Sequence, residues 1–318
     1  MSLINLRYHN TFVAVNKCIL LILCSLLSLP ITAQKSVEDT VKVKAIKLKF
    51  NGFTPEYFIR LTQKDTSFYR AFKNLKIFPH YETSEVFVFE KDGDEKASMT
   101  RLSQHFNKKN YNWIKIISEN TEGKYYDKKG EPRYFTGEMF DRVFFSKDTS
   151  FASNTVKSPY EQKAPEDRSK TEKYYEQLKA FMFSPGQKIE GVPFIGYKLD
   201  IYGEEMRPYY DFSLDKVLYE DSIPCYLFSS KRKEAVDKNK VVIQYLDTYY
   251  DRRTMQVICR KYYIRDRNLA FDFDIKMEIK LQLIGTEYFP STIKYKGEWD
   301  IPFKKPERMS FTITTKLD

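Results

Sequence analysis

The chain has 318 residues, with 53 Lys and Arg against 43 Asp and Glu, and 16% of it is aromatic. That length accommodates two domains, or one large β domain with additions. The net charge of +10 comes with both signs mixed, lysines alternating with acids along strand-like runs, which argues against a nucleic-acid partner and for a solvated, mildly basic surface.

The chain opens on an export-type pattern. Residues 1–33 hold Arg7 and Lys17 and no acid, Cys18–Leu29 is a twelve-residue apolar core, and Ala33 is a small residue before Gln34. Positive start, apolar core and small cleavage residue predict a secretory signal over 1–33. The core falls short of the roughly twenty residues a spanning helix needs. Leu23 before Cys24 and Lys17 before Cys18 do not suit lipidation. The expectation is an exported protein of the periplasm or cell envelope, with peripheral rather than integral membrane contact. Cleavage leaves 285 residues with a net charge of about +8. Cys225 and Cys259 remain, both in strand-like runs. They pair if their strands are neighbours, and otherwise stay as two buried thiols, the favoured reading.

Val41–Phe50 alternates apolar residues with lysine and reads as an edge strand. Thr54-Pro55 offers a helix start, with Tyr57, Phe58 and Leu61 at helical spacing. A second start at Asp65 leads through Phe68, Tyr69, Phe72 and Leu75 to Pro79. Strands are predicted from Ser84 to Phe89, from Ala97 to Phe106 and over Tyr111–Ser118, with Lys91–Asp94 as a turn cluster after the first. Glu119–Pro132 reads as loop, and Gly93, Gly123, Gly130 and Gly137 all read as polar-turn glycines. Arg133–Phe145 is aromatic without a decisive period. Ser146–Arg168 is the least apolar stretch and reads as a surface linker. Lys170–Phe183 is predicted as a helix with Tyr174, Tyr175, Leu178, Phe181 and Met182 on one side.

Seven strands are predicted after that, over 209–219, 224–231, 240–249, 255–264, 269–284, 288–295 and 308–317, joined by connections short enough to force an antiparallel meander. The strongest pattern is Asn268–Ile284, where every odd position from Leu269 to Leu283 is apolar and the even positions run Ala, Asp, Asp, Lys, Glu, Lys, Gln. Strand side chains alternate between faces, so one face is buried and the other wet. At about 3.3 Å per residue this run spans on the order of 50 Å, which suits a curved or strongly twisted sheet.

No residue pattern predicts catalysis. There is no zinc-binding HExxH, paired Cys-x-x-Cys, GxSxG, P-loop or GxGxxG. His80 and His105 read as surface or packing residues. Asp272 and Asp274 share one strand face, and they read as part of a solvated surface rather than as an acid–base pair. No metal or cofactor is expected.

The segments YDRRT, DFDIKMEIKL, FPSTIKYKG and FTITTKL, following a helix over about residues 170–318, resemble the envelope carriers related to the lipoprotein chaperone LolA. The phrases FYRAF, FSPGQKIEGVPFIGYK and DSIPCYLF also resemble an uncharacterised exported family of Bacteroidota-type bacteria. The first resemblance implies a sheet half-closed around helices, with an acyl chain on its concave face. The expected fold is mainly β (α+β), an antiparallel meander forming a curved, half-closed sheet with helices on that face. The expected division is signal 1–33, an N-terminal α+β segment 34–150, a polar linker 151–169 and a LolA-like part 170–318. The expected function is non-catalytic: a carrier or interaction module for a lipid or lipoprotein acyl chain, held by Phe271, Phe273, Ile275, Met277, Ile279, Tyr174 and Phe181. The alternative is a structural or assembly protein with a fully packed core that binds only protein partners, envelope proteins among them. An enzyme acting on glycans or peptides ranks third.

Overall fold

The computed structural model describes residues 53–145, 148–156, 182–187, 196–267, 272–300 and 305–317. The expected signal segment, the strand over Val41–Phe50 and most of the helix over Lys170–Phe183 lie outside these residues, as do Phe271, Tyr174 and Phe181. Eleven strands form one antiparallel sheet in the order β4-β3-β2-β1-β11-β10-β9-β8-β7-β6-β5. They are β1 (His80–Phe89), β2 (Glu95–Lys108), β3 (Tyr111–Gly123), β4 (Ser150–Phe151), β5 (Tyr210–Tyr219), β6 (Ile223–Arg232), β7 (Ile243–Asp251), β8 (Val257–Arg267), β9 (Asp272–Ile284), β10 (Glu287–Asp300) and β11 (Glu307–Leu317). The sheet is curved and not closed, β4 and β5 being its two edges. The predicted seven-strand meander is β5 to β11. The N-terminal strands join it through β1, which pairs with β11 over ten positions, from His80↔Leu317 to Phe89↔Arg308.

Local chemistry sets most boundaries. Lys109 and Asn110, both at positive φ, make the two-residue turn between β2 and β3, a twist that matches the strands it joins. Pro290, which lacks an N–H, sits at the bulge of β10, where the ladder has a gap. The region 119–132 departs from the expected loop, because β3 continues to Gly123 and Tyr126 bridges Pro132. Within the expected linker, Ser150–Phe151 pairs with β3 as β4.

Three helices lie on one face of the sheet: α1 (Pro55–Lys64), α2 (Ser67–Lys73) and α3 (Phe135–Phe144). Thr54 caps α1 by accepting from the Tyr57 amide, with Pro55 pre-set for the first turn. The fully buried ring of Phe58 then meets Tyr226, Phe228 and Tyr250 at centroid distances of 5.5, 5.8 and 5.1 Å. A buried phenylalanine of this kind stabilises by about 1.5–3 kcal/mol. Asp65 accepts from the Ser67 amide at the start of α2 and also pairs with Arg260 of β8 at 2.9 Å. One carboxylate therefore caps a helix and pins it to the sheet. The Arg260 guanidinium lies 4.3 Å from the Phe68 ring, so an arginine only 2% exposed sits against both an anion and a π face.

Gly137 lies inside α3, not in a polar turn as the sequence reading had it, and a Cβ there would stand 3.1 Å from the Tyr125 hydroxyl and 3.3 Å from Pro132. A side chain there would require Tyr125 and Pro132 to give by a few tenths of an ångström. The two cysteines lie on the opposite face, Cys225 on β6 and Cys259 on β8, with β7 between them. Two strand spacings put them about 10 Å apart, beyond disulfide reach. Both are buried and unbridged, and burial pushes their thiols up, Cys225 to about 11 and Cys259 to about 12.

Candidate functional site

The apolar side of β9 is the floor of the site. Phe273, Ile275, Met277 and Ile279 are 0–4% exposed, whereas Leu283, at the far end of the same row, is 49% exposed. The row is covered where α3 and residues 182–187 lie over it, and it reaches solvent beyond them. Between α3 and strands β8 to β11 is a narrow slot of about 440 Å³ of empty space, of which about 30 Å³ admits the centre of a water-sized sphere. Its roof carries Met139, Phe140, Val143, Phe144 and Met182, and its floor carries Ile264, Ile275, Met277, Tyr295, Trp299 and Phe311.

The floor is built around Gly297. A Cβ at that position would lie 2.1 Å from the Tyr295 hydroxyl, so the missing side chain lets the Tyr295 ring lie along its own strand. That ring stacks on Phe311 at 4.7 Å, and its hydroxyl accepts from Trp299 Nε1 at 2.7 Å. Burial drives the Tyr295 and Tyr262 hydroxyls well above the ordinary tyrosine range. Tyr262 donates to the Met182 carbonyl, which ties the roof segment 182–187 to β8.

The roof helix is fastened at both ends. Its own N-cap position, Tyr134, supplies no side-chain acceptor. Glu307 of β11 does so instead, accepting from the Phe135 amide at 2.7 Å, the Thr136 amide at 3.0 Å and the Thr136 hydroxyl at 3.3 Å. A carboxylate at a helix N-terminus satisfies free amides and complements the positive end of the helix dipole. In the last turn, Asp141 accepts from Arg101 Nη1 at 2.9 Å. Arg101 also donates to Glu119 at 2.5 Å and to the Tyr126 hydroxyl at 2.9 Å, and it lies 4.1 Å from the Phe145 ring. Burial opposes the charge on Arg101, but Asp141 and Glu119 outweigh that and hold its guanidinium above the ordinary arginine value.

Trp299 is shared between the slot and a far wider basin at the start of β9, where about 930 Å³ admits the centre of a water-sized sphere against about 30 Å³ in the slot. Six basic and six acidic side chains line the basin, among them Arg133, Arg267, Asp272 and Glu298. With charges balanced, the basin does not select an anion by field alone. Phe135 and Phe273 flank Trp299 at 5.9 and 5.4 Å, an aromatic cluster between basin and slot.

The structure therefore places Ile275 and Met277 in the slot, Phe273 on the basin wall and Ile279 in the core alongside. Asp274 accepts from the Tyr263 hydroxyl at 2.8 Å and is 41% exposed, which is how a solvated strand face behaves. The sequence reading missed the roof, because Arg133–Phe145 showed no clear period. Nearly every side of α3 is covered, from Thr136 and Gly137 through Phe140 to Val143 and Phe144.

It also missed a polar corner on β1 and β2. His80, Glu82 and His105 are 0%, 2% and 3% exposed on the same inner face. Burial pushes the Glu82 carboxyl up to about 7, against the pull of the Ser84 hydroxyl and Arg101. Burial and then the neighbouring His80 push the His105 imidazole down to about 3. Glu82 Oε2 and His105 Nε2 lie 3.4 Å apart, so the raised carboxyl and the lowered imidazole face each other. The predicted turn at Lys91–Asp94 is the signal that finds this corner. Folding the chain back about that turn sets residue 80 opposite 105, and Glu82 follows two places along on the same face.

No protein-family model matches the chain, and no curated protein sequence matches it. Among solved structures it is similar to an outer membrane lipoprotein-sorting protein domain from Vibrio parahaemolyticus, with a TM-score of 0.27 and 9% identity over 83% of this chain and 92% of that one. It is also similar to a DUF1329 family protein from Desulfovibrio piger, with a TM-score of 0.23 and 12% identity over 80% and 91% of the two chains. A LolA superfamily protein from Nitrosomonas europaea gives a TM-score of 0.22 and 9% identity over 80% and 94%. Likeness at this level fixes neither family nor ligand.

Proposed function

We propose that this protein is a non-catalytic carrier of the cell envelope that takes an apolar ligand, a lipid or the acyl chain of a lipoprotein, into the slot beneath α3. The observation that carries the reading is the slot itself, an apolar crevice roofed by a helix fastened at its two ends by ion pairing and hydrogen bonds. Only about 30 Å³ of it admits the centre of a water-sized sphere, so the slot stands nearly closed and a ligand enters by parting α3 from the sheet. Its thinness suits a flexible alkyl chain better than a fused ring system. Met139, Met182 and Met277 contribute to its walls, and methionine, unbranched and polarisable, re-packs readily around different contents. Among the described residues lining the slot, Tyr295 alone has a titratable proton, and burial keeps that proton on. This supports binding over chemistry. The export pattern of residues 1–33 and the absence, among described residues, of a helix long and apolar enough to cross a membrane are compatible with an envelope carrier.

The test is direct. Solvent extraction and native mass spectrometry of purified protein are expected to show a co-purified lipid, and a fluorescent fatty acid is expected to bind the delipidated protein. Met139→Trp, which fills the slot from the roof, is expected to weaken that binding at least about tenfold, a loss of about 1.4 kcal/mol. A folded wild type that carries no lipid and ignores the probe sinks the reading.

One observation favours the alternative of an assembly protein. Tyr111, Trp113, Ile116, Ile117 and Phe151 are 36–65% exposed around β3 and β4, and only Tyr111 and Asn112 of β3 pair with β4. An open strand with apolar side chains is where another chain adds a strand. A stable complex with an envelope protein, lost on Ile117→Lys and unaffected by Met139→Trp, would support it.

A further inference from the structure

His80 and His105 are register partners across the β1–β2 hairpin, and their rings stack with centroids 4.2 Å apart. One nitrogen or carboxylate oxygen from each of His80, Glu82 and His105 lies within 4.8 Å of the other two. The tautomer of His80 follows from its neighbour. Its Nδ1 is 2.8 Å from the Phe78 carbonyl, and a carbonyl only accepts, so Nδ1 carries the proton and Nε2 keeps the lone pair. That is the arrangement metal-binding histidines adopt, with the far N–H anchored on a backbone oxygen. Glu82 is oriented in the same way. The Ser84 hydroxyl donates to its Oε1 at 2.8 Å, which leaves Oε2 toward His105.

We propose that His80, Glu82 and His105 bind one divalent transition ion of the zinc class, with a water or the Ser103 hydroxyl completing the coordination. The donor set decides the metal. Two imidazoles and one carboxylate suit zinc and its neighbours, the lack of thiolate disfavours copper(I), and a single carboxylate is too little oxygen for calcium. Bonds of about 2.0–2.1 Å place tetrahedral ligand atoms about 3.3 Å apart, so binding an ion requires the two stacked rings to rotate until their lone pairs converge. An ion there matches the charge of a carboxylate otherwise held in a nearly dry site. With all three ligands at most 3% exposed, the ion would be structural, cross-linking β1 and β2.

The experiment uses the full mature chain, stripped with chelator, and refolded with and without metal because the site is closed. Expected results are one equivalent of zinc by elemental analysis, a rise in Tm with zinc but not with magnesium, and intense visible bands from bound cobalt, the mark of a four-coordinate site. His105→Gln is expected to weaken zinc binding at least about 100-fold, with Glu82→Gln, which keeps the side-chain volume, as a second variant. If His105→Gln does not fold, the wild-type cobalt spectrum decides. A wild type that takes up no zinc on refolding overturns the proposal. So does a cobalt spectrum of the weak six-coordinate kind, or zinc bound equally by a folded His105→Gln.

Discussion

Ile275 and Met277 on β9, and His80 and Glu82 on β1, lie on one face of one sheet and are all at most 4% exposed. The β9 pair faces a helix across an apolar crevice, and its one polar contact is the Tyr262 hydroxyl on the Met277 sulfur at 2.9 Å. The β1 pair sits among groups that each require a partner. The difference teaches that burial alone does not define a site. In the apolar half, misfit shows as a thin gap between helix and sheet. In the polar corner, misfit shows as displaced proton affinities. Arg101 joins the halves, since it belongs to the polar corner and its bond to Asp141 holds the roof of the slot.

Arg101 is accordingly where the comparison breaks most severely. Arg101→Met leaves Asp141 buried without its cation and is expected to cost about 3–5 kcal/mol in urea unfolding. Adding Asp141→Leu should return much of that loss, because a well-packed apolar pair often matches a buried ion pair. In the apolar half, Phe311→Ala is expected to cost a similar 3–5 kcal/mol or so. No second truncation should recover it, since what is lost there is contact and not charge balance. Equal recovery in both halves would erase the distinction.

The polar corner also has a pH signature that the slot lacks. In chelator-treated protein, Glu82 titrates near 4.5 when unfolded and at about 7 when folded. The folded state therefore holds the extra proton, and the contribution is full below pH 4.5 and lost as pH rises to 7. His105 runs the other way, from 6.5 unfolded to about 3 folded, so its contribution is present above pH 6.5 and lost as pH falls. Between 4.5 and 6.5 the two slopes cancel. The stability of wild type minus that of Glu82→Gln isolates the first group, and it should fall by about 3 kcal/mol between pH 4.5 and 7. A flat difference would mean that the carboxylate is solvated.

How far these regions were legible follows from the kind of signal each carries. The β9 floor was readable because strand period and burial period coincide from Phe273 to Ile279. The meander was readable because its connections are too short for any other topology. Helix α3 was hidden, since only Glu138 and Arg142 mark its outer side and the aromatic residues around them suit a strand as well as a helix. Its cap was hidden too, because Glu307 reaches Thr136 from the far end of the sequence. The histidine corner was readable in principle from the hairpin turn, yet a search for local metal spacings passes over ligands that meet only through strand register. Cys225 and Cys259 turned on the same point, with a single intervening strand deciding against a bridge.

The smallest expected effect lies on the outer face of β9 and bears on whether the basin does chemistry. Asp274 accepts from the Tyr263 hydroxyl and lies 4.0 Å from Arg265 Nε, but its side chain is 41% exposed, so solvent screens what it does. Asp274→Asn keeps the shape and the hydrogen bond from Tyr263 and removes only the charge. It is expected to change stability by less than about 0.5 kcal/mol. Fatty-acid binding should not change, because Asp274 faces away from Ile275 and Met277. If Asp274→Asn instead abolished a measured hydrolysis at unchanged Tm, the charge-balanced basin would be an active site, and the slot beside it would be where the substrate's apolar end rests.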